Sequence, residues 1–188
     1  MTNVRVWIFR LLLLAVIGLL VYSWFQPWWQ ASIETIGDDA AVIRPWVLET
    51  NMPPEVMAFV IGSQMPSWFA PVMWTYFGIV VLVLLVSLFI TNREIHLWKI
   101  RVTLPGFMIW MAGFSYIVVV VLAVIVAAIR TGEYYYMKLL GTTLIDLGGE
   151  MVANAYGNLL IGYWLACAAG PLLIVLALLR NKIMGKTS

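Results

Sequence analysis

The sequence predicts an all-α integral membrane protein: a four-transmembrane-helix bundle with N and C termini in the cytoplasm and a short extra helix in the first outward loop. Two observations carry this expectation. Hydrophobic residues make up 63% of the 188 residues and charged residues only 11%, too little polar surface to cover a soluble globule of that size. The charges are also sorted by segment. Residues 1–10, 91–104 and 180–188 hold eight of the eleven Lys and Arg (Arg5, Arg10, Arg93, Lys99, Arg101, Arg180, Lys182, Lys186) and one acid, Glu94, a net of +7. Residues 26–70 and 130–155 hold the other eight acids (Glu34, Asp38, Asp39, Glu49, Glu55, Glu133, Asp146, Glu150) against Arg44, Arg130 and Lys138, a net of −5. Four crossings that leave both termini on the basic side satisfy the positive-inside bias.

The spans are expected at about 5–26, 71–91, 105–130 and 155–180, with outward loops 27–70 and 131–154 and a cytoplasmic connector 92–104, all in a single membrane domain over 1–188. Each run approaches the roughly 20 residues a helix needs to cross the hydrocarbon core. The runs are continuously apolar rather than alternating, which selects helix over barrel strand. Arg5 and Arg10 ahead of the first run have the look of a secretory signal. Bulky Trp29, however, stands where cleavage before Ser32 would need a small side chain, so the segment reads as an uncleaved signal-anchor. The expected location is a prokaryotic cytoplasmic membrane, with the chain crossing it several times.

Along the chain, Pro27 stops the first helix, and Trp24, Trp28 and Trp29 mark the outer interface as an aromatic belt. In the first outward loop, Pro53-Pro54-Glu55 opens residues 54–62 like the first turn of a short helix. The basic connector with His96, the only histidine, is expected to lie along the inner membrane surface near anionic headgroups. Small residues in the third and fourth helices allow close approach in lipid, and Gly106, Gly113, Gly162, Ala166 and Gly170 are the expected packing positions. Gly157 belongs to the same small-residue pattern, and Pro171 is expected to kink the fourth helix. Tyr134, Tyr135 and Tyr136 read as interface anchors of an extended third helix.

The chemistry that the sequence lacks narrows the function classes. No acid, histidine or lysine falls within the four runs, and Arg10 lies at an inner edge where it can snorkel. Ion-coupled transport and proton relays need ionisable groups at depth. One histidine excludes a bis-histidine haem held by this chain alone. Cys167, the only cysteine, excludes an intramolecular disulfide, an iron–sulfur cluster or a Cys-rich zinc site. GxGxxG, Walker, HExxH and GxSxG motifs are all missing. The sequence therefore assigns no catalytic, cofactor-binding or metal residues. Glu34 with Asp38 and Asp39, or Asp146 with Glu150, are the oxygen-donor sets that could hold a hard cation.

Four crossings, a Trp-rich first outer loop longer than the second, and short cytoplasmic tails resemble the general plan of claudin-like and tetraspanin-like proteins. The resemblance is one of layout. The claudin loop signature includes two cysteines and tetraspanins carry several in the second loop, whereas residues 26–70 and 130–155 contain none. No residue roles are carried across. The function that the sequence favours is a non-catalytic membrane subunit or scaffold. It would bind other membrane subunits or copies of itself, with lipid around it and no nucleic-acid partner, using helix surfaces and outward loops. Trp46, Met57, Phe59, Trp68, Tyr134 and Tyr135 are the expected contact residues, because such types are enriched at protein interfaces. Two alternatives stand beside it. One is an oligomeric channel or transport component, with selectivity from groups such as Thr75, Ser87 and Ser115; the other is an accessory to a lipid- or quinone-handling membrane enzyme.

Overall fold

A computed structural model of the chain describes residues 2–52, 65–90, 94–97, 100–146 and 152–184. Its elements in chain order are α1 (Thr2–Phe25), β1 (Trp29–Ile33), β2 (Gly37–Arg44), β3 (Val47–Thr50), α2 (Phe69–Phe89), β4 (Glu94–Leu97), β5 (Ile100–Thr103), α3 (Leu104–Tyr135), β6 (Gly141–Asp146), β7 (Val152–Leu159) and α4 (Ile161–Met184). The four helices are long and apolar enough to cross a membrane. With 32 residues, α3 runs to about 48 Å at 1.5 Å per residue, well beyond the roughly 30 Å that a crossing requires.

The all-α expectation is overturned by a five-stranded antiparallel sheet in the order β3-β2-β1-β7-β6. Its strands come from both segments expected as outward loops and from the expected start of the fourth helix. The physical reason lies in a period of two: Trp29, Ala31 and Ile33 are buried while Gln30 and Ser32 between them are half-exposed, and Ala153, Ala155 and Gly157 alternate with Val152, Asn154, Tyr156 and Asn158 in the same way. A strand puts successive side chains on opposite faces. The fourth helix accordingly begins at Ile161, not near Ala155, because residues 152–159 are committed to β7. The short helix expected over 54–62 lies outside the described residues. The basic connector forms a second, two-stranded antiparallel sheet of β4 and β5, in which Ile95 pairs with Val102 and His96 with Arg101.

The chain clusters into two compact units, and every helix contributes to both. In the unit made of residues 1–22, 75–119 and 165–188, α3 and α4 meet at glycines. A Cβ added at Gly113 would lie 2.9 Å from Leu173 Cβ and 3.0 Å from the Gly170 carbonyl oxygen, and one added at Gly170 would lie 2.5 Å from Ile117 Cγ1. Gly106 sits close to Thr103, and Ala166 is buried. Arg180, counted among the basic residues of the tail, is buried against the protein. Its Nη1 donates to Thr103 Oγ1 at 2.9 Å and its guanidinium lies 5.7 Å from the Phe9 ring centroid.

In the other unit, residues 23–74 and 120–164, one face of the sheet is covered. Trp29, Ala31, Ile33, Ala41, Ile145, Ala153 and Ala155 form its core together with Met52 and Met137. The small side chains in the middle strands let the segment after α3 cross at backbone distance. A Cβ at Gly157 would fall 2.5 Å from the Leu139 carbonyl oxygen and 2.7 Å from that of Lys138. Trp29 Nε1 donates to the same Leu139 oxygen at 2.6 Å. At the end of α3, Tyr136 adopts φ 51°, a left-handed conformation that disfavours a side chain with a Cβ.

Substituting Gly157→Ala or Gly113→Ala is expected to lower the melting temperature in detergent, by the equivalent of about 1–3 kcal/mol, since the added methyl meets backbone or a buried side chain. Gly18→Ala, with nothing within 4 Å of the new Cβ, is the control that should leave the melting temperature unchanged or slightly raised. Tyr136→Gly relieves the left-handed residue and should raise stability by about 1 kcal/mol, read from the same melting curves.

Candidate functional site

The uncovered face of the five-stranded sheet is the most distinctive polar surface among the described residues. Register places Gln30 and Ser32 of β1 opposite Asn158 and Tyr156 of β7, and Tyr156, Asn154 and Val152 opposite Thr142, Leu144 and Asp146 of β6. Hydroxyl, amide and carboxyl groups thus form rows across three strands. The turn between β1 and β2 is fixed to this face by Glu34, whose carboxylate accepts from Asn154 Nδ2 at 3.0 Å and from the Tyr156 hydroxyl at 3.3 Å. Gln30 Nε2 donates to Asp39 Oδ1 at 2.8 Å, and Ser32 Oγ donates to the Asp38 carbonyl at 2.9 Å. Glu34 and Asp39, two of the three acids in the first of the two sets considered as cation ligands, therefore use their carboxylates to hold strands and turn in place. Among the described residues no group of three or more His, Cys, Asp or Glu is arranged to hold a metal ion.

Beside the sheet lies a cluster of aromatic rings. Trp46 stacks on Trp24 with centroids 6.1 Å apart and lies 5.0 Å from Trp74 and 5.7 Å from Phe25. Trp28 meets Trp24 edge-on at 6.5 Å and Tyr163 at 6.1 Å. Trp24, Trp28 and Trp29, expected as an interfacial belt, are buried in protein. The cluster also completes the end of α1. The last carbonyls of a helix lack intrahelical donors, and here Trp28 Nε1 donates to the Ser23 oxygen at 2.9 Å and Arg44 Nη1 to the Phe25 oxygen at 2.8 Å. Arg44 is held in turn by Glu49 at 3.2 Å.

The expected contact residues have separate fates. Trp46 is engaged in this internal cluster. Trp68 is 61% exposed, with the neighbouring Phe69 ring 6.2 Å away. Tyr134 lies near the end of α3 with the Arg130 guanidinium 5.2 Å from its ring centroid, and Tyr135 is the last residue of that helix. Met57 and Phe59 fall outside the described residues. Gly162 abuts the Pro27 carbonyl, where an added Cβ would come within 2.6 Å. The polar groups named for a pore are partly committed as well: Ser87 Oγ donates to the Leu84 carbonyl at 2.6 Å, and Ser115 Oγ to the Ala112 carbonyl at 3.0 Å, with the Tyr76 hydroxyl 3.3 Å away. Sequence reasoning missed Leu144 and Val152, which are 69% and 62% exposed on the open sheet face. The alternation in 152–159 was the available signal, masked by the alanines and glycine that made the segment read as part of a helix.

Comparison with family models, curated proteins and solved structures finds no match to this chain.

The Tyr156 phenol is raised above its ordinary value, chiefly by the charge of Glu34, which opposes a second negative charge beside it. Because the folded value is the higher one, the stabilisation is present below the ordinary tyrosine range near 10 and is lost as pH climbs through the raised value. A difference titration of phenolate absorbance, wild type minus Tyr156→Phe, should show this late ionisation. Glu34→Gln should bring it back toward the ordinary value.

Proposed function

We propose that this chain is a non-catalytic membrane subunit: a four-helix bundle in a prokaryotic cytoplasmic membrane, both termini cytoplasmic, that presents its sheet to a partner protein or to further copies of itself. The observation that supports this reading best is the sheet itself. One face is packed by the chain's own segments, and the other is left open, with Gln30, Ser32, Asn154 and Tyr156 held by hydrogen bonds to Glu34, Asp38 and Asp39 and with Leu144 and Val152 exposed. A rigid face of that kind suits protein recognition, since little side-chain freedom remains to be lost on contact. The charge asymmetry of the sequence supports the orientation, with the basic connector and tails on the cytoplasmic side and the acidic, sheet-forming segments opposite. Serines whose hydroxyls bond within their own helices favour this reading over a pore.

Extraction in mild detergent followed by native mass measurement tests the association: a species heavier than one chain is expected, and a lone 21.2 kDa protein across conditions overturns the reading. Orientation is checked in a Cys167→Ala background with Asp38→Cys and Lys182→Cys. An impermeant thiol reagent applied to intact cells should label position 38 and spare position 182.

A further inference from the structure

The hairpin of β4 and β5 sorts its residues by face. Cross-strand partners share a face and successive residues alternate, so the register Ile95↔Val102 and Leu97↔Ile100 puts four aliphatic residues on one side of the ladder. Glu94↔Thr103 and His96↔Arg101 put four polar residues on the other. One contact tells which side meets the protein. Thr103 Oγ1, on the polar side, accepts from the buried Arg180 of α4 at 2.9 Å and lies 2.9 Å from where a Cβ would stand on Gly106 of α3. At Thr103 the polar face is thus turned to the helices. The aliphatic face is the opposite one, the reverse of a hairpin packed on a protein core.

We propose that this hairpin is a lipid-binding element, with its aliphatic face of Ile95, Leu97, Ile100 and Val102 seated on the acyl chains of the adjacent leaflet. Continuity and charge name lipid as the occupant. Thr103 of β5 is followed at once by Leu104 of α3, and α2 ends at Phe89, so two helices fit to span the bilayer hold the hairpin at its surface. Residues 91–104 carry Arg93, Lys99 and Arg101 against Glu94, a charge that complements anionic headgroups. An interfacial element binds through apolar area and basic charge together, and here the strand register adds the first to the second. A two-stranded hairpin is marginal in water, and burial of four aliphatic side chains offsets that weakness. Among the described residues the ladder ends at two strands, and unpaired strand edges are excluded from hydrocarbon. The backbone therefore stays at headgroup depth, and only the side chains reach the acyl chains. The inference rests on the spanning helices and this register, not on how copies or partners associate, so its failure leaves the proposed function standing.

The test uses the full chain in a Cys167→Ala background, reconstituted in vesicles of phosphatidylethanolamine and phosphatidylglycerol. Ile95→Cys, His96→Cys, Leu97→Cys, Ile100→Cys, Arg101→Cys and Val102→Cys each carry an environment-sensitive fluorophore. The four aliphatic positions are expected to emit at shorter wavelength and to be quenched severalfold more by a nitroxide near the top of the acyl chain than by aqueous iodide. A nitroxide at the chain end should be less effective. His96→Cys and Arg101→Cys should show none of this. The wild-type chain gives a second measurement: a phospholipid with a carbene-generating acyl chain should label positions 95, 97, 100 and 102 and spare 96 and 101. Equal quenching of both sets, a reversed pattern, or aliphatic positions shielded from both quenchers, as a protein partner would shield them, each overturn the inference. So does a wild-type hairpin that takes up no label.

Discussion

The sheet-bearing unit depends on the passage of residues 138–139 across the covered face of the sheet. A half-apolar sheet in contact with water on both sides would be unstable, so one face must be closed. Here the closing element is the chain leaving α3. It lies so near the strand that Gly157 has no room for a methyl group, and Trp29 donates to its Leu139 carbonyl. That hydrogen bond matters because the indole N–H and the carbonyl would otherwise be buried together without partners, at about 1–3 kcal/mol each. The alanines at 31, 41, 153 and 155 follow from the same constraint: larger side chains would lift the crossing segment away.

The rest of that unit follows from where the covered face ends. At the junction with α1 the helix carbonyls need donors, and the aromatic cluster and Arg44 supply them. Trp28 thereby joins strand, helix end and the start of α4, since its own carbonyl accepts from the Leu160 N–H at 2.9 Å. On the open face, the charged side chains hold the β1–β2 turn: Glu34 is bonded by two β7 side chains, and its N–H donates to the Asn154 carbonyl at 3.1 Å. Acidity in this region is thus partly architectural.

The helices were legible because lipid imposes a composition, and composition survives any detail of packing. The strands were not, for reasons visible in particular residues. Ala153, Ala155 and Gly157 have poor strand propensity and the small size typical of close helix contacts, so β7 read as the start of α4. Trp28 and Trp29 carry the signature of a membrane interface, yet the first bonds a helix end and the second fills a sheet core. No local pattern distinguishes these uses; the register with a strand more than 120 residues away decides them. Of the expected contact residues, Trp68 is exposed and Trp46 is internal, and the exposure of Leu144 and Val152 is visible only once the two faces of the sheet are known.

That distant pairing of β1 with β7 also sets an order of events during synthesis. The β1–β2–β3 meander is available as soon as the first sixty or so residues have emerged, whereas its neighbour β7 is the last of the described strands to leave the ribosome. Until then β1 stands as an open border in the middle of the future sheet, exposed to any extended chain nearby. Closure of the sheet therefore waits on its final hairpin, since a chain that stops short of residue 152 lacks the strand that pairs with β1.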